Sequence, residues 1–411
     1  MVQIAVQAVL LILLQQCLSH AFVRQPKFEH KLLQRGRAAP TVLFSSKFEI
    51  SKIGSMEKEN TRTVEKKTFK RFMQVELWRQ PELESLYPIL CSIESACRDI
   101  NRLMRRISTD NLGGHHASTT GGNSVNIQGE DQKKLDVIAN SIMKQALCCS
   151  QKISIIASEE DDEPCLCSDV VDNKAFSGEF AAVFDPLDGS SNVDSGLPTG
   201  TIFGVYRNPK FGPIDPISTA TQKGSELVVA GYCLYSAAVH IVITMRTGLH
   251  MFTLDDVTGE FYLTQSNLRI PRSGPVYSFN DANSDSWDPA VNYFINDFKR
   301  QKAHSNQVGG KRPSARYMGA LVADSHNILL NGGIFGYPGG AKNPTGKLRL
   351  LYEANPLALI MEEAGGMAST GYGRILDEKV DSVHQRTPLF LGSLEDVTSL
   401  EDYLGFHNSR K

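Results

Sequence analysis

The sequence predicts an α/β fold made of two α/β halves, and three patterns carry that prediction. Apolar residues spaced at three and four mark helices early in the globular part, and short β-branched and aromatic runs mark strands through its middle. Helix-like and strand-like segments then alternate from about residue 266 onward, so a boundary there separates 66–265 from 266–411. No internal repeat or low-complexity tract is evident.

In order, "FKRFMQVELWR" and "LESLYPILCSIESACRDINRLMRRI" have helical spacing. The Gly-rich "NLGGHHASTTGGNSVNIQGED" then reads as a loop, expected to act as a lid, and its His115 and His116 as an exposed pair. "KKLDVIANSIMKQAL" is helical, and "ISIIASEEDDEP" is a strand running into acids. "EFAAVFD", "TIFGVY", "LVVAGYCLY", "AVHIVITM", "HMFTLD" and "EFYLT" are strands separated by short turns. In the second half "AVNYFINDFKRQ" and "NPLALIMEEAG" are helix-like, while "GGIFGYP" and "PLFLGS" are strand-like.

Composition excludes some classes of function. The 411 residues are 41% hydrophobic and 21% charged, with a formal net charge of -2, an ordinary soluble composition. A strongly basic face suited to nucleic acid or an anionic membrane is not expected.

The N-terminus has a character of its own. Residues 4–14, "IAVQAVLLILL", are too few to span a bilayer, which needs roughly 20 apolar residues. They read as a signal-peptide core with a cleavage site near Ala21. The following stretch to about residue 55 is basic and acid-poor, like a transit peptide; secretion followed by a linker is the competing reading.

Eight cysteines lack both zinc-site spacing and the density of a disulfide scaffold, so reduced thiols are expected. Cys165 and Cys167, in "DEPCLCSD", stand apart as either plain loop thiols or a redox or metal pair.

The chemistry is expected where strands end. Glu159, Glu160, Asp185, Asp188 and Glu353 each follow an apolar run. Two like charges about 4 Å apart repel by roughly 4 kcal/mol at an effective dielectric of 20, so their convergence demands cations. Oxygen-only ligands select Mg²⁺ or Mn²⁺. In "DPLDGSS", Pro186 is expected to turn the chain sharply and aim the Leu187 carbonyl at the metal. Gly189, Ser190 and Ser191 are expected at a helix N-terminus suited to phosphate, although the same residues also form ordinary turns.

"SEED", "FDPLDGSSNVD", "GTIFGVY", "ARYMGALVAD", "GGIFGYP", "GKLRLLYEANPLALIMEEAGG" and "HQRTPLFLGS", in order from about residue 66 to 405, resemble the fructose-1,6-bisphosphatase family, in its class I, plastid-targeted type without redox-loop cysteines. The resemblance implies a layered helix/sheet sugar-phosphatase fold, a homotetramer, and Mg²⁺-dependent removal of the 1-phosphate of fructose-1,6-bisphosphate, in gluconeogenesis or the Calvin cycle. Carried over residue by residue, it implies metal ligation by Glu159, Asp185, the carbonyl of Leu187, Asp188 and Glu353, with Glu130 at a further metal. It implies Asp136 and Glu160 as the pair activating water, and Asp188, Gly189, Ser190 and Ser191 around the reacting phosphate. The 6-phosphate pocket is then Asn280, Tyr317, Tyr337 and Lys347, with Arg316 reaching in from a neighbouring subunit. One departure is that Asn283 and Ser284 stand where the family carries a further tyrosine, which predicts weaker phosphate affinity.

Sedoheptulose-1,7-bisphosphatase and a non-catalytic sugar-phosphate sensor remain as alternatives. A hydrophobic signal before a basic segment, with Phe22 after the cleavage site, resembles the entry signal of secondary plastids reached through the secretory route. Glu179 replaces the lysine that binds AMP phosphate in sensitive relatives, and Glu84 replaces a threonine, so AMP inhibition is expected to be weak. The interval before Cys233 lacks the cysteines of the usual plastid redox loop.

Overall fold

The computed structural model describes residues 66–107, 109, 134–172, 178–209, 215–304, 313–341 and 343–408. The N-terminal segment read as a targeting signal, the loop at 113–129, His115, His116 and Glu130 lie outside the described residues.

Among the described residues three helices come first: α1 (Phe69–Trp78), α2 (Tyr87–Arg106) and α3 (Lys134–Cys149). The hydroxyl of Thr68 caps α1 by accepting from the Arg71 amide. The second sequence-predicted helix is split, because Pro81–Leu86 forms a 3₁₀ turn and α2 begins only at Tyr87, with Pro88 in its first turn. Proline has no N–H to donate there, and the first turn is where none is needed. Helix α2 buries Ile89, Leu90, Ile93, Ala96, Cys97 and Ile100, one stripe at helical spacing.

An eight-stranded sheet follows, formed by β1 (Ile153–Ser158), β2 (Cys165–Leu166), β3 (Phe180–Asp188), β4 (Thr199–Arg207), β5 (Leu227–Tyr235), β6 (His240–Thr244), β7 (Leu249–Asp255) and β8 (Glu260–Gln265). Its order is β2-β1-β3-β4-β5-β6-β7-β8, with β1 and β3 parallel and the other neighbours antiparallel. Two short helices, α4 (Cys167–Val170) and α5 (Pro216–Ala220), decorate it.

A second sheet has the order β10-β9-β11-β15-β13, from β9 (Val276–Phe279), β10 (Ser314–Ala315), β11 (Gly333–Tyr337), β13 (Met367–Ser369) and β15 (Leu389–Gly392). Strands β12 (Leu348–Arg349) and β14 (Arg386–Thr387) pair separately. The remaining helices are α6 (Pro289–His304), α7 (Leu321–Asn331), α8 (Asn355–Glu363) and α9 (Leu394–Asn408).

Alternation along the strands sorts the core into layers. In β3, Phe180, Ala182 and Phe184 pack with α1, α2 and α3, while Ala181 and Val183 face α7 and α8. Those two helices also meet Phe335 of β11 and Leu389 and Leu391 of β15, so they fill the space between the sheets. On the far face, Ile334 and Phe390 pack with α6 and α9. The result is helix, sheet, helix, sheet, helix. Phe180 and Phe184 are fully buried, each contributing about 1.5–3 kcal/mol.

The expectation of a reduced thiol is overturned for Cys148: it forms a disulfide with Cys167, which the sequence set apart from that expectation, and the Cα atoms are 5.1 Å apart. Helix α3 ends beside the start of α4, which brings together two residues that sequence spacing alone does not relate. Cys165 is half-buried and free. Among the described residues, no helix is long and apolar enough to cross a membrane.

Candidate active site

Strand β3 delivers its acids into a cavity of about 380 Å³. The sharp turn expected at Pro186 is instead a bulge, since Asp185 pairs with Ile202 and Asp188 with Gly200, which leaves Pro186 and Leu187 opposite Thr201 alone. Proline cannot join the ladder, so the strand bulges at that point and continues. The Leu187 amide donates to Asp185 Oδ1 at 2.9 Å, and Thr201 donates its hydroxyl to the Pro186 carbonyl at 2.8 Å.

Gly189 follows with φ +74°, and a side chain there would sit 2.4 Å from Cβ of Ala320. Only glycine fits. Ser190–Ser195 then form a 3₁₀ turn where a helix start was expected. The α-helical N-terminus nearby belongs to α7, and it is Asp188 that occupies it, accepting from the amides of Leu321 at 3.1 Å and Val322 at 2.7 Å.

Glu353 arrives from the far half of the chain on a π-helical turn, Leu350–Ala354, ahead of α8. Asp185, Asp188 and Glu353 are all buried, with carboxylate oxygens within 4.8 Å of one another. Burial first, then the charges of Glu159, Asp188 and Glu353, push Asp185 well above the ordinary carboxylate range. Burial pushes Asp188 up to about 7 although the α7 amides pull the other way, and it pushes Glu353 up to about 7 against the pull of Arg349. In all three the largest cause is burial, which disfavours the charged form, and the neighbouring carboxylates add to it. That is the donor set of a hard cation, and it fits Mg²⁺ or Mn²⁺.

Glu159 and Glu160 line the same cavity after β1, and Asp136 enters it from the first turn of α3. The turn carrying the two glutamates is tied to α3: Ser158 donates to Asn140 Oδ1 at 2.9 Å, and Asp161 accepts from Asn140 and Lys144. Arg349 forms a buried ion pair with Glu159 at 3.0 Å.

Tyr317, Tyr337 and Lys347 line the cavity as well. Tyr317 lies beside Asn280 and Tyr337, and burial pushes its hydroxyl up to about 12, so it is a donor near neutral pH. Asp324 fixes this loop by accepting from Ser278, Met318 and Gly319.

The structure therefore brings Asp136, Glu159, Glu160, Asp185, Leu187, Asp188, Gly189, Ser190, Ser191, Tyr317, Tyr337, Lys347 and Glu353 to one cavity. Asn280 does not line the cavity but lies beside Tyr317, and Arg316 is exposed, donating to the Ala315 carbonyl. Sequence reasoning assigned no role to Arg349, Asp324 or the α7 N-terminus. A basic residue four before Glu353 was the available signal for the first.

Comparison with known proteins settles the family. A model described as fructose-1-6-bisphosphatase, N-terminal domain, matches residues 63–266, and one described as fructose-1-6-bisphosphatase, C-terminal domain, matches residues 270–405. The chain belongs to the fructose-1,6-bisphosphatase family.

It is a phosphatase of mixed α/β layers, as the sequence predicted. Among relatives, it is 45% identical over 332 residues to the chloroplastic fructose-1,6-bisphosphatase of Pisum sativum, covering 77% of this chain and 78% of that one. The Arabidopsis thaliana protein named fructose-1,6-bisphosphatase 1, chloroplastic, is 44% identical over 330 residues, with 77% and 75% covered. In structure it resembles the holo form of Leishmania major fructose-1,6-bisphosphatase, with a TM-score of 0.75, 35% identity, and 83% and 99% of the two chains covered.

Proposed function

We propose that this member of the fructose-1,6-bisphosphatase family hydrolyses the 1-phosphate of fructose-1,6-bisphosphate, giving fructose 6-phosphate and inorganic phosphate. The observation that carries this reading is one cavity with two kinds of lining. The buried carboxylates of Asp185, Asp188 and Glu353 share it with the donors of Tyr317, Tyr337 and Lys347. A bisphosphate needs both kinds at once.

Glu159, Asp185, the Leu187 carbonyl, Asp188 and Glu353 would hold the cation, Mg²⁺ with Mn²⁺ as substitute, and Glu130 a further one. When bound, such a cation offsets the carboxylates and stabilises charge developing on the phosphoryl group. Asp136 and Glu160 take the proton of the attacking water. Gly189, Ser190 and Ser191 orient the reacting phosphoryl group through backbone N–H and hydroxyl donors. Asn280, Tyr317, Tyr337 and Lys347 hold the 6-phosphate, and Arg316 serves the neighbouring subunit of a homotetramer. Division of the chain near residue 266 places the carboxylates of 159–188 in one half and the 6-phosphate residues in the other.

Phosphate release from fructose-1,6-bisphosphate and from sedoheptulose-1,7-bisphosphate, each with and without Mg²⁺, tests the reading. Preference for the heptulose substrate, or turnover in EDTA, sinks it.

The relatives named chloroplastic support a plastid address for this chain, and the hydrophobic and basic N-terminal segments support a route through the secretory pathway. Residues 1–55 fused to a fluorescent protein are expected to mark the plastid of an alga with secondary plastids. Fluorescence in the medium or cytosol overturns this.

A further inference from the structure

Two segments bearing the proposed metal carboxylates are far apart in sequence: the Glu159–Glu160 turn after β1, and the π-helical turn with Glu353. One side chain touches the backbone of the first and the neighbour of the second. His384 places Nε2 2.9 Å from the carbonyl oxygen of Asp161 and Nδ1 2.7 Å from the hydroxyl of Tyr352. A carbonyl oxygen only accepts, so Nε2 carries the proton, Nδ1 accepts, and Tyr352 donates. Burial holds the imidazole below its ordinary pKa, which keeps it neutral near pH 7 and preserves that tautomer.

The mounting is rigid on one side. His384 sits in the turn leading into β14, which pairs with β12 through Leu348 with Thr387 and Arg349 with Arg386. The Leu350 amide donates to the Gln385 carbonyl at 2.7 Å. The imidazole is therefore fastened to the segment that carries Glu353 and reaches across to the segment that carries Glu159 and Glu160. Tyr352, fully buried, precedes Glu353 directly, and Asp161 follows Glu160 directly.

We propose that His384 is a positioning residue that sets the spacing between the Glu159–Glu160 turn and Glu353, and through it the affinity for the divalent cation. This rests on the ligand assignment above. A neutral bridge suits the task, since a charged one would compete with the cation for the carboxylates.

The experiment measures Mn²⁺ binding directly by electron paramagnetic resonance on the full chain. The proteins compared are wild type, His384→Phe, His384→Gln, Tyr352→Phe, the double variant combining His384→Phe with Tyr352→Phe, and Asp185→Asn. Substitutions behind metal ligands typically weaken affinity 10–100-fold, and about tenfold is expected for His384→Phe. His384→Gln, which keeps an N–H donor at the reach of Nε2, should recover part of it. Tyr352→Phe removes only a hydroxyl and keeps the buried ring, so it stays informative if the histidine variants fold poorly. The double variant should cost less than the sum of the single ones, because both break one bridge. KM for fructose-1,6-bisphosphate at saturating Mn²⁺ should stay near that of wild type. Mn²⁺ affinity within twofold of wild type for both His384→Phe and Tyr352→Phe, or strictly additive losses, overturns the proposal. Wild-type binding that Asp185→Asn leaves unchanged instead sinks the ligand assignment beneath it.

Discussion

Asp185→Asn separates the charge of the central carboxylate from its shape. Oδ1 of Asp185 accepts the Leu187 amide at 2.9 Å, and an amide oxygen accepts the same bond, so the bulge of β3 keeps its geometry. What disappears is one negative charge from a buried cluster. Two unit charges at the 4.8 Å limit of that cluster repel by roughly 3.5 kcal/mol at an effective dielectric of about 20. Protonation already relieves part of this in the metal-free protein, because burial raises all three groups. The variant should therefore be more stable than wild type in EDTA, by about 1–3 kcal/mol once that relief is discounted. Mg²⁺ should reverse the order. Wild type gains about 2.7 kcal/mol at 100 times the dissociation constant, while the variant, lacking the charge that offsets a cation, gains little. Thermal unfolding with EDTA and with Mg²⁺, beside phosphate release, checks both signs. Turnover should be abolished. Near-normal Mg²⁺-dependent activity, or a variant less stable than wild type in EDTA, would falsify the reasoning.

Four further outcomes are expected. Unfolded carboxylates titrate near 4 and folded Asp188 and Glu353 near 7, so in EDTA the folded state keeps protons that the unfolded state has lost. The contribution of these groups is fully present below about pH 4 and lost as pH rises through about 7; denaturant melts in EDTA should show this fall and Mg²⁺ should suppress it, and a flat profile in EDTA refutes it. Micromolar AMP should leave activity unchanged in a titration: Glu179 puts a carboxylate beside Ser85 and Lys152, and Arg207 donates to the Glu82 carbonyl at 2.7 Å. Reduction of Cys148–Cys167, which are 19 residues apart, should lower stability by about 3 kcal/mol in a chain-entropy account. Mg²⁺-dependent activity should change little on reduction, because Lys144 and Asn140 still hold Asp161; a large activation by dithiothreitol that vanishes in Cys148→Ser refutes this.

The strands of the first sheet, β2 apart, were legible to within a few residues because alternation is a local property, while β9, β10, β12, β13 and β14 went unread. "LVVAGYCLY" is β5 from end to end, with Val229 and Cys233 on one face and Ala230 and Tyr232 on the other. Helix α7 went unread for the opposite reason. It lies between two sheets, buries Asp324, Ser325 and His326 along with its apolar residues, and so shows no polar face to reveal its period. The start of α7 carries no capping residue of its own. Its amides are satisfied by Asp188, 133 residues earlier, which no local rule connects to it.

The same distinction runs through the site. Acids at strand ends can be picked out from residue type and position, and Asp185, Asp188 and Glu353 do converge. What restrains each carboxylate cannot be picked out that way. Asp188 spends both oxygens on the α7 amides, which orients it from the side of the second sheet, and Glu159 is drawn toward Arg349 from the other half of the chain. Glu353 accepts the Arg349 amide as well. One arginine thus braces two of the proposed ligands, through its guanidinium and through its backbone. Charge repulsion favours spreading these carboxylates apart, and the long-range hydrogen bonds oppose it. Those bonds hold the carboxylates together while burial favours their protonated forms, so a cation binding there would compete with protons in a site whose geometry the rest of the fold supports.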